Sequence, residues 1–461
     1  MAMLSVDNPA TGEIFCEIET ASAEDAAQIV GRARAAADTL AELNLAERIE
    51  LCSRFIDRFA ANRERIARDV TGQMGKPISQ SRGEISTAID RARCMIELAP
   101  QCLADEPLDA RGGFERVIQK RPVGVVLDIA AWNYPLLIPV NVVVPAVLAG
   151  NAVVLKHSAR TPLCAGHFAD AFAAAGAPAD SVIPLVAGHD VTAGVIADRA
   201  IDYVAFTGSV EGGVSVSRSA GGRPIDVGLE LGGKDPAYVR EDADLASAAA
   251  GIAEGAFYNS GQSCCAVERI YVARSVHDEF VELLLNACRE WTPCTPERDE
   301  STLGPMAQAD SIATITRQLE DAAGRGAQIA SGGHAVQIDG RGRYFEPTVV
   351  TGATDDMLVM REETFGPVAA VAAVDDDTEA VARMNDSDLG LTASVWTRDL
   401  AAARHLGSRI EAGTVFMNRC DFLDPELPWT GWKDSGVGIT LSRYGFDRMV
   451  RTRALHFRLP A

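Results

Sequence analysis

Val123-Gly124-Val125-Val126-Leu127-Asp128-Ile129, followed by Ala130-Ala131-Trp132-Asn133-Tyr134-Pro135, is the stretch whose reading decides the fold. The first seven residues are rich in apolar β-formers and read as a strand, and the proline-bearing turn behind them ends it. The pattern then recurs. Strands are expected at 152–155, 181–186, 201–206 and 224–230, with a helix after 152–155 and a Gly-bearing turn and helix after 201–206. Strands separated by helices imply a doubly wound parallel sheet.

Working outward, residues 20–70 read as helical, opened by Ser22-Ala23-Glu24-Asp25, a cap followed by acidic first-turn residues. A further helix is expected over 83–103. Residues 104–122 mix Pro, Gly and charges with short apolar pieces and read as an exposed ribbon or arm. Behind Lys234 the α/β pattern restarts. Strands are expected at 237–239, 269–272, 366–374 and 413–417, helices at 241–257, 275–290 and 307–324, and a loop-rich stretch after the last of these. The break near 231–234 is the expected domain boundary. A chain of 461 residues is long enough for two or three domains.

The net charge of −21 repels nucleic acid and anionic membranes, so neither is an expected partner. An anionic cofactor would need local positive groups and backbone N–H donors. Ten cysteines stand at irregular spacings, with no zinc-type cluster, so no metal is expected and reduced thiols in a cytoplasmic enzyme are. Residues 1–7 lack the basic and apolar regions of a signal peptide. The apolar run 135–155 has about the length of a bilayer span, but Pro135, Pro139, Pro145, Asn141 and Asn151 within it argue against one.

The chemistry starts at Phe257-Tyr258-Asn259-Ser260-Gly261-Gln262-Ser263-Cys264-Cys265-Ala266-Val267-Glu268-Arg269. A thiol suits attack on an aldehyde carbon because it is soft and partly thiolate near neutrality. Leu229-Glu230-Leu231-Gly232-Gly233-Lys234 adds a carboxylate able to take a proton and later to activate water. Either piece alone is weak, since free cysteines are usually buried packing residues. Asn133, just past a strand end, places an amide donor where α/β sheets build their sites, and with the Cys264 N–H it suits a developing oxyanion. Lys156, at the next strand's edge, can bond an adenosine ribose. In Phe206-Thr207-Gly208-Ser209-Val210-Glu211-Gly212-Gly213, Gly208 allows close approach to a pyrophosphate, Ser209 donates, and the following helix start favours an anion. In Glu362-Glu363-Thr364-Phe365-Gly366-Pro367, Glu363 suits a nicotinamide ribose and Phe365 the nicotinamide ring. For each of these the plainer reading is a capping Asn, a solvated Lys, an ordinary Gly turn or a polar loop.

Taken together, with Asn8-Pro9-Ala10-Thr11-Gly12-Glu13 at the start and Trp429-Thr430-Gly431-Trp432-Lys433-Asp434-Ser435-Gly436 near the end, these motifs make the chain resemble the NAD(P)-dependent aldehyde dehydrogenase superfamily over nearly its whole length. The resemblance implies an α/β fold with a Rossmann-like cofactor domain (1–103 and 123–232), an α/β catalytic domain (233–430), and an oligomerisation arm with the C-terminal segment (104–122 and 431–461). It implies Cys264 as nucleophile, Glu230 as general base, and Asn133 with the Cys264 amide as oxyanion hole. It implies NAD or NADP held by Trp132, Lys156, Ser158, Gly208, Ser209, Gly213, Leu231, Glu363 and Phe365. A small aldehyde is the implied substrate, oxidised through a thiohemiacetal and a thioester, and a homodimer or homotetramer is the implied assembly. Cys265 is expected to pack rather than react.

Two departures stand out. His157 and Ala159 replace the Pro and Glu of the family's strand-end motif, a form similar to the succinate-semialdehyde dehydrogenase branch. Losing that Glu removes a charge that would repel a 2′-phosphate, so NADP acceptance is expected. Arg443 stands where many relatives carry a Glu that relays a proton. Steadying Glu230 and binding an anionic substrate tail both remain open for it. The loop Asn418-Arg419-Cys420-Asp421-Phe422-Leu423-Asp424-Pro425-Glu426 is expected near the substrate mouth. There Arg419 suits a carboxylate-bearing semialdehyde, and Asp421, Asp424 and Glu426 an amino-aldehyde. The rival functions are a cofactor-independent thiol esterase on the same Cys264 and Glu230, and a non-catalytic binding relative.

Overall fold

In the computed structural model, which describes residues 2–460, the alternation that begins at 123 forms a six-stranded sheet. Its order is Gly436–Val437, Asp226–Glu230, Tyr203–Thr207, Val125–Ala130, Ala152–His157 and Val182–Pro184. The last five run parallel, and Gly436–Val437 caps one edge antiparallel. Val125–Ala130 is buried along its whole length, as a central strand covered on both faces must be. It begins two residues later than expected because Gly124 turns the chain at φ 128°.

Helices Ala23–Glu42, Leu45–Ala61, Arg63–Met74 and Ile78–Leu103 share one apolar core with this sheet. The Ser22 cap forms reciprocally with Asp25, and Asn44 does the same with Glu47 at the second helix. Ile78–Leu103 starts five residues ahead of the expected 83. Its first turns are polar and carry no apolar stripe, yet tertiary partners hold them: Ser81 Oγ meets Thr71 Oγ1 at 2.9 Å, and Gln80 Nε2 donates to the Thr302 carbonyl at 2.8 Å. Leu137–Ala149 is buried nearly all round. Among the described residues no helix is long and apolar enough to cross a membrane.

The second sheet has seven strands in the order Gln328–Ser331, Thr348–Thr351, Val368–Val374, Val267–Ala273, Asp235–Val239, Thr392–Trp396 and Thr414–Met417. Only Gln328–Ser331 is antiparallel to its neighbour. The region after 324, expected to be loop-rich, instead supplies Gln328–Ser331, Thr348–Thr351, Thr392–Trp396 and a hairpin of Ala335–Ile338 with Arg341–Phe345. These strands are only four or five residues long. Thr392–Trp396 is fixed by a partner remote in sequence, since Asp235 Oδ1 accepts from the Thr392 N–H at 3.0 Å. An N-terminal hairpin, Met3–Asp7 with Ile14–Glu19, had no sequence expectation either.

The arm is a three-stranded sheet in the order Val450–Arg458, Phe114–Pro122 and Glu106–Arg111. Val450 pairs with Pro122 and Arg458 with Phe114 at the two ends of a continuous antiparallel ladder. The last strand of the first sheet ends at Glu230 and the second sheet opens at Asp235, so the 231–234 link lies between the two sheets.

Candidate active site

One cavity of about 850 Å³ is lined by Asn133, Glu230, Leu231, Cys264 and the loop residues Asn418 to Leu423. Each side chain arrives from the end of an element. Asn133 follows Val125–Ala130, and Glu230 ends the strand Asp226–Glu230. Cys264 sits behind a sharp turn in which Asn259, Ser260 and Gly261 all take positive φ (54°, 59° and 69°). The turn is locked from inside. Asn259 Nδ2 donates to the carbonyls of Asn133 and Gln262, both at 3.0 Å, and Gln262 Oε1 accepts from the Ala307 N–H at 2.8 Å. A Cβ on Gly261 would come within 2.2 Å of the Gly366 carbonyl oxygen, and one on Gly233 within 2.1 Å of the Cys264 carbonyl oxygen. The backbone around the thiol is thus packed to contact on two sides.

Asn133 is buried, and its Nδ2 donates to the Gln262 carbonyl at 3.2 Å. That bond orients the amide and leaves its second N–H. Cys264 is half-buried, whereas Cys265 is buried and donates to Asp421 Oδ1 at 2.9 Å. The contact with Cys264, burial and the nearby Asp421 push the Cys265 thiol up, so this neighbour stays protonated. Ser263 also donates to Asp421, at 3.3 Å. Asp421 turns inward with φ 46°, and burial pushes its carboxyl up to about 6. Asp424 and Glu426 are exposed.

Glu230 faces the cavity and is half-buried, and the burial raises its pKa. Opposing that, Thr440 donates to Oε1 and Thr207 donates to Oε2 at 3.4 Å. Neither threonine was singled out in the sequence. Arg443 reaches neither Glu230 nor the cavity lining; it is exposed, and its Nη2 donates to the Tyr444 hydroxyl at 2.7 Å. Neither role left open for it in the sequence has support in this placement.

The residues expected to hold a cofactor lie around the carboxyl ends of the first sheet, and only Leu231 among them lines the cavity itself. Lys156 is half-buried, and its one hydrogen bond among the described residues is to the His157 carbonyl at 3.4 Å. Burial lowers its pKa. A half-buried ammonium so weakly partnered fits the hydroxyl or phosphate oxygens of a dinucleotide. His157 Nε2 donates to the Pro135 carbonyl at 2.8 Å, tying this strand end to the Asn133 loop, and burial holds the imidazole down at about 4, hence neutral. Ser158 Oγ accepts from the Arg160 N–H, and Ala159 is exposed.

Gly208 donates its N–H to the Glu230 carbonyl at 3.0 Å, so that donor is already used. Ser209 caps the helix Val210–Ala220 by accepting from the Gly212 N–H and keeps its own hydroxyl proton free to donate. Gly213 lets that helix close on the 231–234 link, because a Cβ there would come within 2.6 Å of the Leu231 side chain. Glu363 accepts from the Gly233 N–H at 2.9 Å, and burial, with the Glu268 charge nearby, pushes it up to about 7. Phe365 holds φ 50°, and its ring meets Trp132 edge-on at 5.4 Å between centroids. The loop bearing both is pinned by buried Glu268, which accepts from Lys234 Nζ and from the N–H groups of Thr364 and Phe365.

Comparisons with known proteins give a concordant result. The family model described as "Aldehyde dehydrogenase family" matches residues 2–455. An aldehyde dehydrogenase of Paenarthrobacter nicotinovorans is 35% identical over 99% of both chains. A succinate semialdehyde dehydrogenase of Escherichia coli, named for NAD(P)+, is 35% identical over 95% of this chain and 94% of its own. The crystal structure of an NAD-dependent aldehyde dehydrogenase from Sinorhizobium meliloti superposes with a TM-score of 0.95 at 35% identity, covering all of this chain and 92% of that one.

Proposed function

The chain belongs to the aldehyde dehydrogenase family, and from that premise we propose how its own residues carry out the reaction. It oxidises an aldehyde to the carboxylic acid with NAD(P)+. The observation that carries the residue assignment is the meeting of Cys264, Glu230 and Asn133 on one cavity. The Cys264 thiolate attacks the carbonyl carbon. The Asn133 amide and the Cys264 N–H hold the oxygen that becomes negative. A bound nicotinamide supplies the hydride acceptor. Glu230, kept proton-hungry by burial and oriented by Thr440 and Thr207, then takes a proton from the water that releases the acid. Retention of that base favours release as the free acid over acyl transfer to a second thiol. Cys265 stays a protonated neighbour.

For the cofactor, Lys156 and Ser158 hold the adenosine ribose. Gly208, Ser209 and Gly213 shape the pyrophosphate turn. Trp132, Leu231, Glu363 and Phe365 enclose the nicotinamide end. With Ala159 in place of an acidic residue, NADP is accepted alongside NAD. The enzyme is placed in the subclass that acts on aldehydes with NAD(P)+ as acceptor. It works as a homodimer or homotetramer in the cytoplasm, a reading supported by the open-edged arm and by ten free thiols.

The test mixes enzyme, NAD or NADP and a panel of aldehydes while following reduced-nicotinamide absorbance. Turnover that disappears in Cys264→Ala is the expected result. Absence of signal with every aldehyde in both proteins, or ester hydrolysis without cofactor as the main activity, contradicts the proposal.

A further inference from the structure

Helix Ile78–Leu103 sends a guanidinium into the wall of the cavity that holds Cys264 and Glu230. Arg91 is only 5% exposed. Its Nη1 donates to the Leu137 carbonyl at 3.4 Å and to Asn141 Oδ1 at 3.3 Å, two long bonds to neutral oxygens. Its Nε has no hydrogen-bond partner among the described residues. An arginine does not shed its proton, so its charge lies withdrawn from water with most of its five donors unused.

No carboxylate around the same cavity hydrogen-bonds to that guanidinium, although the charges of Glu230 and Glu84 lie near enough to act on it. Glu84 accepts from Lys76 and from the N–H groups of Leu136 and Leu137, at 2.8 and 3.2 Å. Glu230 is held by Thr440 and Thr207, and Asp421 by Cys265 and Ser263. Glu254 and Glu290 are exposed. Arg419, the other arginine of the lining, is exposed as well and lies 3.2 Å over the centre of the Phe422 ring. The inward-facing positive group of the cavity is therefore Arg91.

We propose that Arg91 anchors a carboxylate carried by the aldehyde itself, so that the substrate is an ω-carboxylated aldehyde with its acid end on the guanidinium and its carbonyl at Cys264. This rests on the aldehyde-oxidising reading above. Nε is shut off from the cavity, whereas Nη2 donates no hydrogen bond to the described residues and carries two N–H donors for the oxygens of a carboxylate. Leu137 and Asn141 hold the Nη1 side and so set the orientation. Leu137 and Ile138 supply apolar wall for a short methylene spacer. The role falls to Arg91 rather than to Arg419, which the sequence had pointed to.

The experiment compares four- and five-carbon ω-carboxy aldehydes with butanal and pentanal, in the wild type, Arg91→Met and Arg91→Lys. The readout is the ratio of kcat/KM for the charged to the uncharged aldehyde of each length. That ratio also cancels any effect of the substitution on Glu230. In Arg91→Met the ratio is expected to fall roughly 10- to 100-fold, the loss of one charge-assisted contact, with KM carrying most of the change. Arg91→Lys, which keeps charge without the fork, is expected to fall between. Glutarate binding, measured calorimetrically on the NAD(P)+-loaded Cys264→Ala protein with and without Arg91→Lys, should weaken in parallel. A wild-type ratio near one, an unchanged ratio in Arg91→Met, or glutarate binding indifferent to Arg91 overturns the proposal. Turnover of butanal by the wild type, and its loss in Cys264→Ala, tests aldehyde oxidation separately and does not involve Arg91.

Discussion

Glu230 has to be a carboxylate to take a proton from water, so activity is present above its pKa and lost as pH falls through it. Burial raises that pKa, and Thr440 opposes the shift with a hydrogen bond. Thr440→Val removes the opposition, so the acidic limb of the kcat profile should move to higher pH. A limb that stays in place means Thr440 does not tune the base. At the cofactor edge, Ala159→Glu restores a negative charge near the 2′ position. Two such charges about 4 Å apart repel by roughly 4 kcal/mol at an effective dielectric near 20, so the NADP-to-NAD ratio of kcat/KM should drop at least about tenfold. In the unsubstituted enzyme, a kcat/KM for NADP several hundred-fold below that for NAD defeats the expectation that both are accepted. Residues that announce themselves by local motif, such as Asn133, Glu230 and Cys264, were legible in the sequence. Arg91, Thr440 and Thr207 were not, because their partners are 46 to 210 positions away or, for Thr207 and Glu230, on the neighbouring strand.

The elements that carry the site are braced by two buried ion pairs. Lys76–Glu84 joins the start of helix Ile78–Leu103 to the first N–H groups behind the Asn133 loop, and Lys234–Glu268 pins the loop of Glu363 and Phe365. Removing one partner of such a pair strands the other charge, at about 3–5 kcal/mol. Glu84→Ala should therefore lower the denaturant midpoint clearly and loosen the Leu136–Leu137 turn. A midpoint within error of the wild type means the pair contributes nothing net. The turn before Cys264 is equally specified. Gly233→Ala would drive a methyl group into the Cys264 carbonyl, so it should cost activity well beyond its cost in stability, read by comparing kcat/KM with the unfolding midpoint. The alternating pattern that builds the first sheet was visible because its central strands are continuous apolar runs. The second sheet was half visible. Thr348–Thr351 and Thr392–Trp396 are too short for a period to show, and their burial comes from neighbours distant in sequence.

Across the whole molecule, two sheets meet at the 231–234 link and put a thiol, a base and an amide on one cavity, while the arm stands apart with open strand edges. Leu108, Phe457 and Leu459 are exposed on or beside that arm, which suits a strand-edge or face contact with another copy. Light scattering on the eluting protein should give twice or four times the chain mass, and a monomer at working concentration contradicts the assembly proposed. The most direct test of the account concerns the covalent intermediate. Glu230→Gln lacks the base that activates water, so with aldehyde and NAD(P)+ it should accumulate an acyl group. Peptide mass spectrometry should find that group on Cys264 after one equivalent of cofactor has been reduced, and find none in Cys264→Ala. Acylation of Cys265 instead, or turnover that persists in Cys264→Ala, would contradict it.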